Sequence, residues 1–561
     1  AEVAEQVANV RTAAQNAAAA ADTRSHGALA NAAFALIRDD QVPATPETVL
    51  ERLEAFIPQI TPDAVLKALK REALPLKAPL LRLQGRRQPE GGEAAVRAAW
   101  AEAMRAPLVQ AETEAQSTFA YTDFGAPGVV LSDSRETTLE IRQVRFANGV
   151  RLNVRRTANE KDRVLVRLSI DGGNFLDTHQ TPLATEMTSF LAAGGLGRHS
   201  RDDLQSLLAG RTVSMELASG PETFVSSAQT TPRDLELQLQ LLAALVTDPG
   251  YRPEGEVHYR LNINNFFAQS RATPVAALTN SIGGIISDND PRFTLQAPDD
   301  YRKLTFAQLK EAIGERLAHG AIEIGIVGDI DEDQAIALVG RTFGALPRRE
   351  PDFRAWDEQR IRAFTADRTR RVIRHTGPAD QALLRYTWAT RDDRDPDEVA
   401  ALTLLERVIR IELTETLREK LGKAYSPAAA SAPSHTWRGY GTFGLAASVA
   451  VGEVAATRMA IAETLDSVRD APIGDDELQR ARQPLLEAHD NALKTNSGWL
   501  ALVDRAQTQP DMISRHLSWR ERLLAVTPAR LQALAQRYLG AKDAVEVLVL
   551  PEGVDEPQPA G

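Results

Sequence analysis

Leu304–Gly328 reads LTFAQLKEAIGERLAHGAIEIGIVG, a threonine followed at once by a helix pattern and a strand pattern. Thr305 stands where a hydroxyl caps the first free backbone N–H groups of a helix. An amphipathic stretch follows, then the alternating Ile322, Ile324 and Ile326 of a strand. The same order occurs twice more. Ile60–Gly85 is ITPDAVLKALKREALPLKAPLLRLQG and Val526–Gly553 is VTPARLQALAQRYLGAKDAVEVLVLPEG. In these two copies Thr61 and Thr527 are each followed by a proline, Pro62 and Pro528, at the first helical position. The helix-rich segments PETVLERLEAF, PDDYRKL and LSWRERLLA precede the three copies. Three matches in one order define an internal repeat, and the short lead before Ile60 makes the first repeat incomplete.

Between the copies, strand clusters alternate with helix clusters. IRQVRFANGVRLNVRRT gives two strands around Asn148-Gly149, a strong short-range hairpin signal, and VLVRLSIDGGNF gives another strand. Helical segments are expected from about Leu183 to Leu208. Residues 86–137 read as a connector, as does the charged LPRREPDFRAWDEQRIRAFTADRTRR. ALLRYTWAT then restarts the pattern as a strand and PDEVAALTLLERVIRIELTETLREKLG as a helix. Many hairpin signals with segregated helices predict α+β domains rather than a doubly wound parallel sheet.

Bulk composition narrows the function. The 561 residues are 43% apolar and 25% charged, ordinary globular usage. A net charge of −11 without a basic stripe argues against nucleic acid as a partner. No apolar run approaches the ~18 residues of a membrane span. The absence of cysteine excludes disulfides, thiolate zinc sites and cysteine nucleophiles. No two of the nine histidines lie three to five residues apart, so no helix face offers zinc a histidine pair. His435 reads as a loop residue. Asp288 and Asp290 read as turn residues, and no G-x-S-x-G elbow is present.

Leu417–Pro427, LREKLGKAYSP, joins a helix to a strand. Val399, Leu402, Leu405, Ile409 and Leu413 recur at helical spacing before it. Gly422 suits a helix stop, Arg418 suits the helix dipole, and Tyr425 starts a strand able to pair with GYGTFGLAASVAV. Packing alone accounts for both side chains. A guanidinium and a phenol can also converge on a peptide carbonyl, as amide hydrolysis requires.

LREKLGKAYSP resembles the Arg/Tyr motif in the C-terminal half of pitrilysin- and insulysin-type (inverzincin) zinc metallopeptidases. VRFANGVRLNVRR with VLVRLSIDGGNF resembles the start of a half-unit of that family, and EIGIVGDIDEDQAIALVGRTFGALPRR the end of its first domain. The resemblance covers nearly all of residues 140–555. It implies an α+β fold of repeated half-unit domains, with antiparallel-rich mixed sheets flanked by helices, forming one side of a clamshell chamber that admits peptides. The implied division is 1–85, the truncated C-terminal part of a preceding domain; 86–137, a linker between halves; 138–346, a first domain with a degenerate metal site; 347–372, a linker; and 373–561, a second domain with the Arg/Tyr motif.

In such enzymes zinc is held by an H-x-x-E-H helix in the N-terminal half. Here TPLATEMTSFLAAGG replaces that helix, with Ala184, Met187 and Thr188 near the ligand and base positions. Those side chains cannot activate a zinc-bound water. The resemblance therefore implies a chain inactive alone. Its expected partners are an N-terminal half or separate subunit carrying H-x-x-E-H and zinc, in a heterodimer, and a peptide substrate. Arg418 would bind a substrate carbonyl and Tyr425 would donate to the oxyanion. The alternative is a non-catalytic scaffold or binding subunit of the same fold. A periplasmic location fits the missing leader and absent cysteines, and a cytoplasmic one is the alternative.

Overall fold

The computed structural model describes residues 2–72, 80–83, 87–107, 118–421 and 427–556. The chain divides into two compact units, residues 1–120 with 202–212, and residues 121–201 with 213–561.

The first unit is helical: α1 (Glu2–Ala19), α2 (His26–Arg38), α3 (Pro46–Phe56), α4 (Pro62–Glu72) and α5 (Gly92–Ala103). The first repeat copy forms its helix, α4, and the Thr61 hydroxyl caps it by accepting from the Ala64 N–H. Its expected strand does not form among the described residues. Leu80 and Leu83 are exposed, and residues 80–83 join neither sheet among the described residues. The rest of that expected strand lies outside the described residues. Of α1–α5, only Thr12 is buried among the described residues.

The second unit holds two mixed sheets. The first contains β1 (Val130–Arg135), β2 (Arg142–Phe146), β3 (Arg151–Arg156), β4 (Val164–Asp171), β5 (Ala218–Ser219), β6 (Thr223–Thr230) and β7 (Ile322–Gly328). Its strand order is β1-β2-β3-β7-β4-β6-β5, with every pair antiparallel except β3–β7. β2 and β3 form the expected hairpin, with Val144 opposite Leu152. Gly149 takes φ +97° in its turn, a conformation that favours glycine. β1, at the end of the stretch read as a connector, is an edge strand of this sheet. α6 (Arg201–Leu207) falls, but for Arg201, in the first unit; the helices of this region are α7 (Leu235–Thr247), α8 (Pro253–Gln269), α9 (Pro274–Ile286), α10 (Pro298–Arg302), α11 (Phe306–His319) and α12 (Glu332–Arg341).

The second sheet contains β8 (Arg371–His375), β9 (Gln381–Thr390), β10 (Ala428–Pro433), β11 (Gly441–Ala450) and β12 (Val545–Pro551). Its order is β10-β11-β9-β12-β8, and β12–β8 is its one parallel pair. The helices are α13 (Pro396–Leu421), α14 (Val454–Asp470), α15 (Asp475–Ala492), α16 (Asn496–Val503), α17 (Asp511–Ala525) and α18 (Pro528–Tyr538).

The repeat seen in sequence is thus a repeat of topology. In each sheet the late strand inserts between two successive earlier strands, parallel to the first of them and antiparallel to the second: β7 between β3 and β4, and β12 between β8 and β9. Thr305 caps α11 in a capping box with Gln308, and Thr527 caps α18 by accepting from the Arg530 N–H.

The two sheets also exchange helices. α16, from the second repeat, covers the first sheet: Leu500 and Val503 pack with Val327 and Ile141. α9, from the first repeat, covers the second sheet: Ala277, Leu278 and Ile286 pack with Val545, Val547 and Val549. Both are the third helix in their series, α7–α11 and α14–α18. As a result β7 is buried along its whole length, whereas Ile322, Ile324 and Ile326 alone announce a single buried face. The opposite face places Glu323 under the exchanged segment. Its carboxylate accepts from Asn153 Nδ2 (2.6 Å), the Gln507 N–H (2.8 Å) and Thr508 Oγ1 (2.5 Å).

Candidate functional site

α13 carries the first of the residues singled out by the Arg/Tyr pattern. Leu402, Leu405, Ile409, Leu413 and Leu417 are all buried on the face that packs against the second sheet, while Val399 is half-buried. The Glu406 carboxylate accepts from the Ser431 N–H (3.1 Å), tying the helix to edge strand β10. Arg418 lies one residue beyond buried Leu417 and is exposed. No hydrogen bond or ion pair engages it among the described residues. Gly422 and Tyr425 lie outside the described residues, so the geometry of the Arg418–Tyr425 pair is not drawn. β10 pairs with β11 as expected, with Ser431 opposite Phe443. Phe443, Leu445, Ala447 and Val449 are buried on one face of β11.

The segment after Leu183, expected to be helical, does not begin as an α-helix. Glu186–Gly194 is a 3-10 helix. Met187 and Thr188 are buried, and the Thr188 hydroxyl donates to the Thr185 carbonyl (2.6 Å). Asp177 accepts from the Thr185 N–H (2.9 Å) and hydroxyl, binding the preceding turn to this segment. Among the described residues no cluster of three His, Cys, Asp or Glu side chains forms that could hold a metal ion. Ala184, Met187 and Thr188 do not fit a zinc ion.

Two buried acids remain there. Burial pushes Asp177 up to about 6, against the hydrogen bonds from Thr185 and Ala184. Burial, reinforced by the charge of Asp177, pushes Glu186 up to about 7. Because the folded value lies above the unfolded one, the Glu186 contribution to stability is fully present below the ordinary carboxyl range. It is lost as pH rises through about 7. Glu186→Gln should therefore melt above the parent at alkaline pH, by the equivalent of roughly 2 kcal/mol, and the gap should close under acid. Parallel melting profiles from pH 5 to pH 9 would remove this role.

A second feature escaped the sequence reading. Where the two sheets of the second unit meet, a cleft of about 560 Å³ is lined by Arg151, Arg354, Arg360, Arg394, Arg438 and Arg505. Glu222, Asp352 and Asp511 supply its carboxylates. Several of these residues come from the connector after residue 346, whose arginine density was the available signal. Glu222 accepts from Arg360 Nη1 (2.7 Å) and Arg505 Nη1 (3.3 Å). Burial would raise its pKa, but the Arg360 hydrogen bond and the charges of Arg360, Arg505 and His435 hold it below the usual range. His435 is in a loop, as read, yet it faces this cleft: Nδ1 lies 2.9 Å from Asp393 Oδ2. The hydrogen bond to Asp393 raises the imidazole pKa, with burial opposing. Asp288 and Asp290 serve as turn residues. Asp288 has φ +51°, and Asp290 Oδ1 accepts from the Arg292 N–H (3.0 Å).

Residues 303–485 match the family model described as the peptidase M16 inactive domain. The curated proteins that match include the chloroplastic stromal processing peptidase of Arabidopsis thaliana, 21% identical over 432 residues, or 68% of this chain and 34% of that protein. The same peptidase of Pisum sativum is 20% identical over 416 residues, 66% of this chain and 33% of that protein. The chain spans about a third of the length of these relatives. Among solved structures, the periplasmic protease PqqL of Escherichia coli superposes with TM-score 0.66 and 15% identity, covering 97% of this chain and 60% of that one. A peptidase M16 inactive domain from Pseudomonas fluorescens gives TM-score 0.61 and 17% identity, covering 75% of this chain and all of that one. The fold is that of the M16 peptidases. The match to the inactive-domain model covers residues 303–485, about a third of the chain, and the likeness to the solved M16 structures is one of fold. Among the described residues no helix is long and apolar enough to cross a membrane.

Proposed function

We propose that this chain is the non-metal-binding portion of a two-half zinc peptidase that hydrolyses peptides in an enclosed chamber. The observation that carries the reading is the match to an inactive M16 domain in a chain whose Ala184, Met187 and Thr188 cannot hold zinc or activate its water. Zinc bound by an N-terminal half or separate subunit would supply the Lewis acid and the activated water. This chain's part is positioning. Arg418 holds a substrate backbone carbonyl through its fixed cation, and Tyr425 donates a hydrogen bond to the developing oxyanion.

The domain division at 85, 137, 346 and 372 belongs to the same proposal, with residues 1–85 forming part of a domain that the partner completes. Support comes from apolar side chains left on those helices. Phe34 and Ile37 of α2 are 71% and 79% exposed, and α4 exposes Val65, Leu66 and Leu69. Such faces are costly to leave in water and suit a partner surface. A periplasmic site of action is the location proposed, in line with the location of PqqL.

The test mixes this chain with a subunit carrying H-x-x-E-H and follows cleavage of unfolded peptides. Chelator-sensitive cleavage should appear in the mixture and in neither component alone. Binding of the subunit without any cleavage would favour the scaffold alternative, and cleavage by this chain alone would overturn the proposal.

A further inference from the structure

We infer that the arginine-lined cleft between the two sheets is a binding site for acidic peptide segments, which place side-chain carboxylates against Arg151, Arg360 and Arg505. A chain with net charge −11 gathers six arginines and a raised-pKa histidine around three carboxylates in this one cleft. The outer arginines pair with acids beyond the lining, Arg354 with Glu350, Arg394 with Asp392 and Arg438 with Asp357, so the recognition group is the inner set Arg151, Arg360 and Arg505.

The deepest cation is built in rather than displayed. Arg151 is 4% exposed. Its Nη2 reaches Asp352 on the rim (2.5 Å), and its buried Nη1 has no hydrogen-bond acceptor among the described residues. Asp352 keeps a side chain 76% exposed, so the Arg151 charge is only partly neutralised. A guanidinium buried and incompletely paired is costly, and an incoming carboxylate relieves that cost.

The neighbouring forks are rigid. The Arg505 guanidinium lies 4.4 Å from the centre of the Phe353 ring, and its Nε donates to Thr508 Oγ1 (3.2 Å). Arg360 donates from Nε to the Ala355 carbonyl (2.9 Å) and from Nη1 to the Thr436 carbonyl (3.1 Å). Between these two arginines Glu222 already sits as a bound carboxylate, so the cleft displays the recognition chemistry it would offer a ligand. Arg394 and Arg438 stand at the outer rim with side chains 65% and 49% exposed, paired with Asp392 and Asp357 and able to exchange those partners for a ligand carboxylate. The rim acids Asp352 and Asp511 disfavour a continuous phosphate backbone, which must neutralise a charge at every step. A peptide can instead alternate carboxylates with neutral residues.

That the ligand is a peptide rests on the proposed peptidase role, while carboxylate binding stands apart from it. The experiment measures fluorescence anisotropy of labelled oligoglutamate, oligolysine, a Gly/Ser peptide and oligodeoxythymidylate on the full chain at low and high salt. Oligoglutamate should bind with the highest affinity and weaken as salt rises. Arg394→Gln with Arg438→Gln, both on exposed loops, should lower its affinity about tenfold. Arg151→Lys, which keeps the charge and loses the fork, should lower it about fivefold. Equal binding of the Gly/Ser peptide, tighter binding of the oligonucleotide, or unchanged affinity in the folded double variant overturns the inference. If the mixture with an H-x-x-E-H subunit cleaves peptides but oligoglutamate does not bind, this inference fails and the peptidase reading stands. If oligoglutamate binds and the mixture cleaves nothing, the cleft keeps its carboxylate site and the peptidase reading fails.

Discussion

Replacing Arg316 by alanine is expected to destabilise the second unit by about 3–5 kcal/mol. Arg316 and Asp171 are each 1% exposed, and their Nη1 and Oδ2 atoms are 2.9 Å apart. Arg316 also holds Glu350 through two hydrogen bonds of 2.8 Å, and Trp356 Nε1 donates to the other Asp171 oxygen (2.9 Å). Burial opposes the charge on Arg316, but Glu350 and Glu315 outweigh it and keep the guanidinium firmly ionised. Burial pushes Asp171 the other way, toward its neutral form, while Trp356 and Arg316 resist. Removing the arginine strands that carboxylate without its counter-charge and frees the connector around Glu350 and Trp356. Denaturation of Arg316→Ala should show a lowered midpoint, with faster proteolysis near residues 350–360. Arg316→Met combined with Asp171→Asn should recover much of the loss, because the cost lies in the unpaired charge rather than in the missing pair. An unchanged midpoint in Arg316→Ala would refute this account.

If the proposed assembly with a zinc-binding half forms, Tyr425→Phe is expected to lower its kcat about 10²-fold. The substitution keeps the ring and removes only the donor. A hydrogen bond that strengthens as charge develops on the carbonyl oxygen acts on the transition state more than on the bound substrate. The loss should therefore appear in kcat with little change in KM. Arg418→Gln should instead raise KM more than it lowers kcat, since a cation on a backbone carbonyl acts on substrate and transition state alike. Exposed Arg418 at the end of α13 is free to take that role without breaking an ion pair among the described residues. Unchanged turnover in Tyr425→Phe returns the phenol to a packing role.

Local chemistry was well legible. Thr61, Thr305 and Thr527 read as caps because a hydroxyl before an amphipathic run has one low-energy use, and all three accept the expected N–H. Asn148-Gly149 announced its hairpin, and the stripe from Leu402 to Leu413 announced the buried side of α13. Where local rules failed, a distant partner was missing or unforeseen. The strand expected after α4 had a suitable pattern, but residues 80–83 join neither sheet among the described residues. Glu323, between Ile322 and Ile324 in the alternating pattern, is fully buried, because the segment after α16 supplies donors to it from Gln507 and Thr508 while Asn153 supplies a third. The arginines at 354 and 360 looked like a solvated linker and line the wall of a cleft.

The order of residues settles what neighbours along the chain can decide: caps, hairpin, helix stripes, the repeated helix–strand ending and the missing metal ligands. Three-dimensional assembly alone decides how the repeats join. The α9–α16 exchange, the Glu323 network and the arginine cleft rest on contacts such as Asn153–Glu323 and Ser169–Asp504, 170 and 335 residues apart. No periodicity within a helix or strand encodes such pairings. They follow from which sheet face remains uncovered once each repeat has folded.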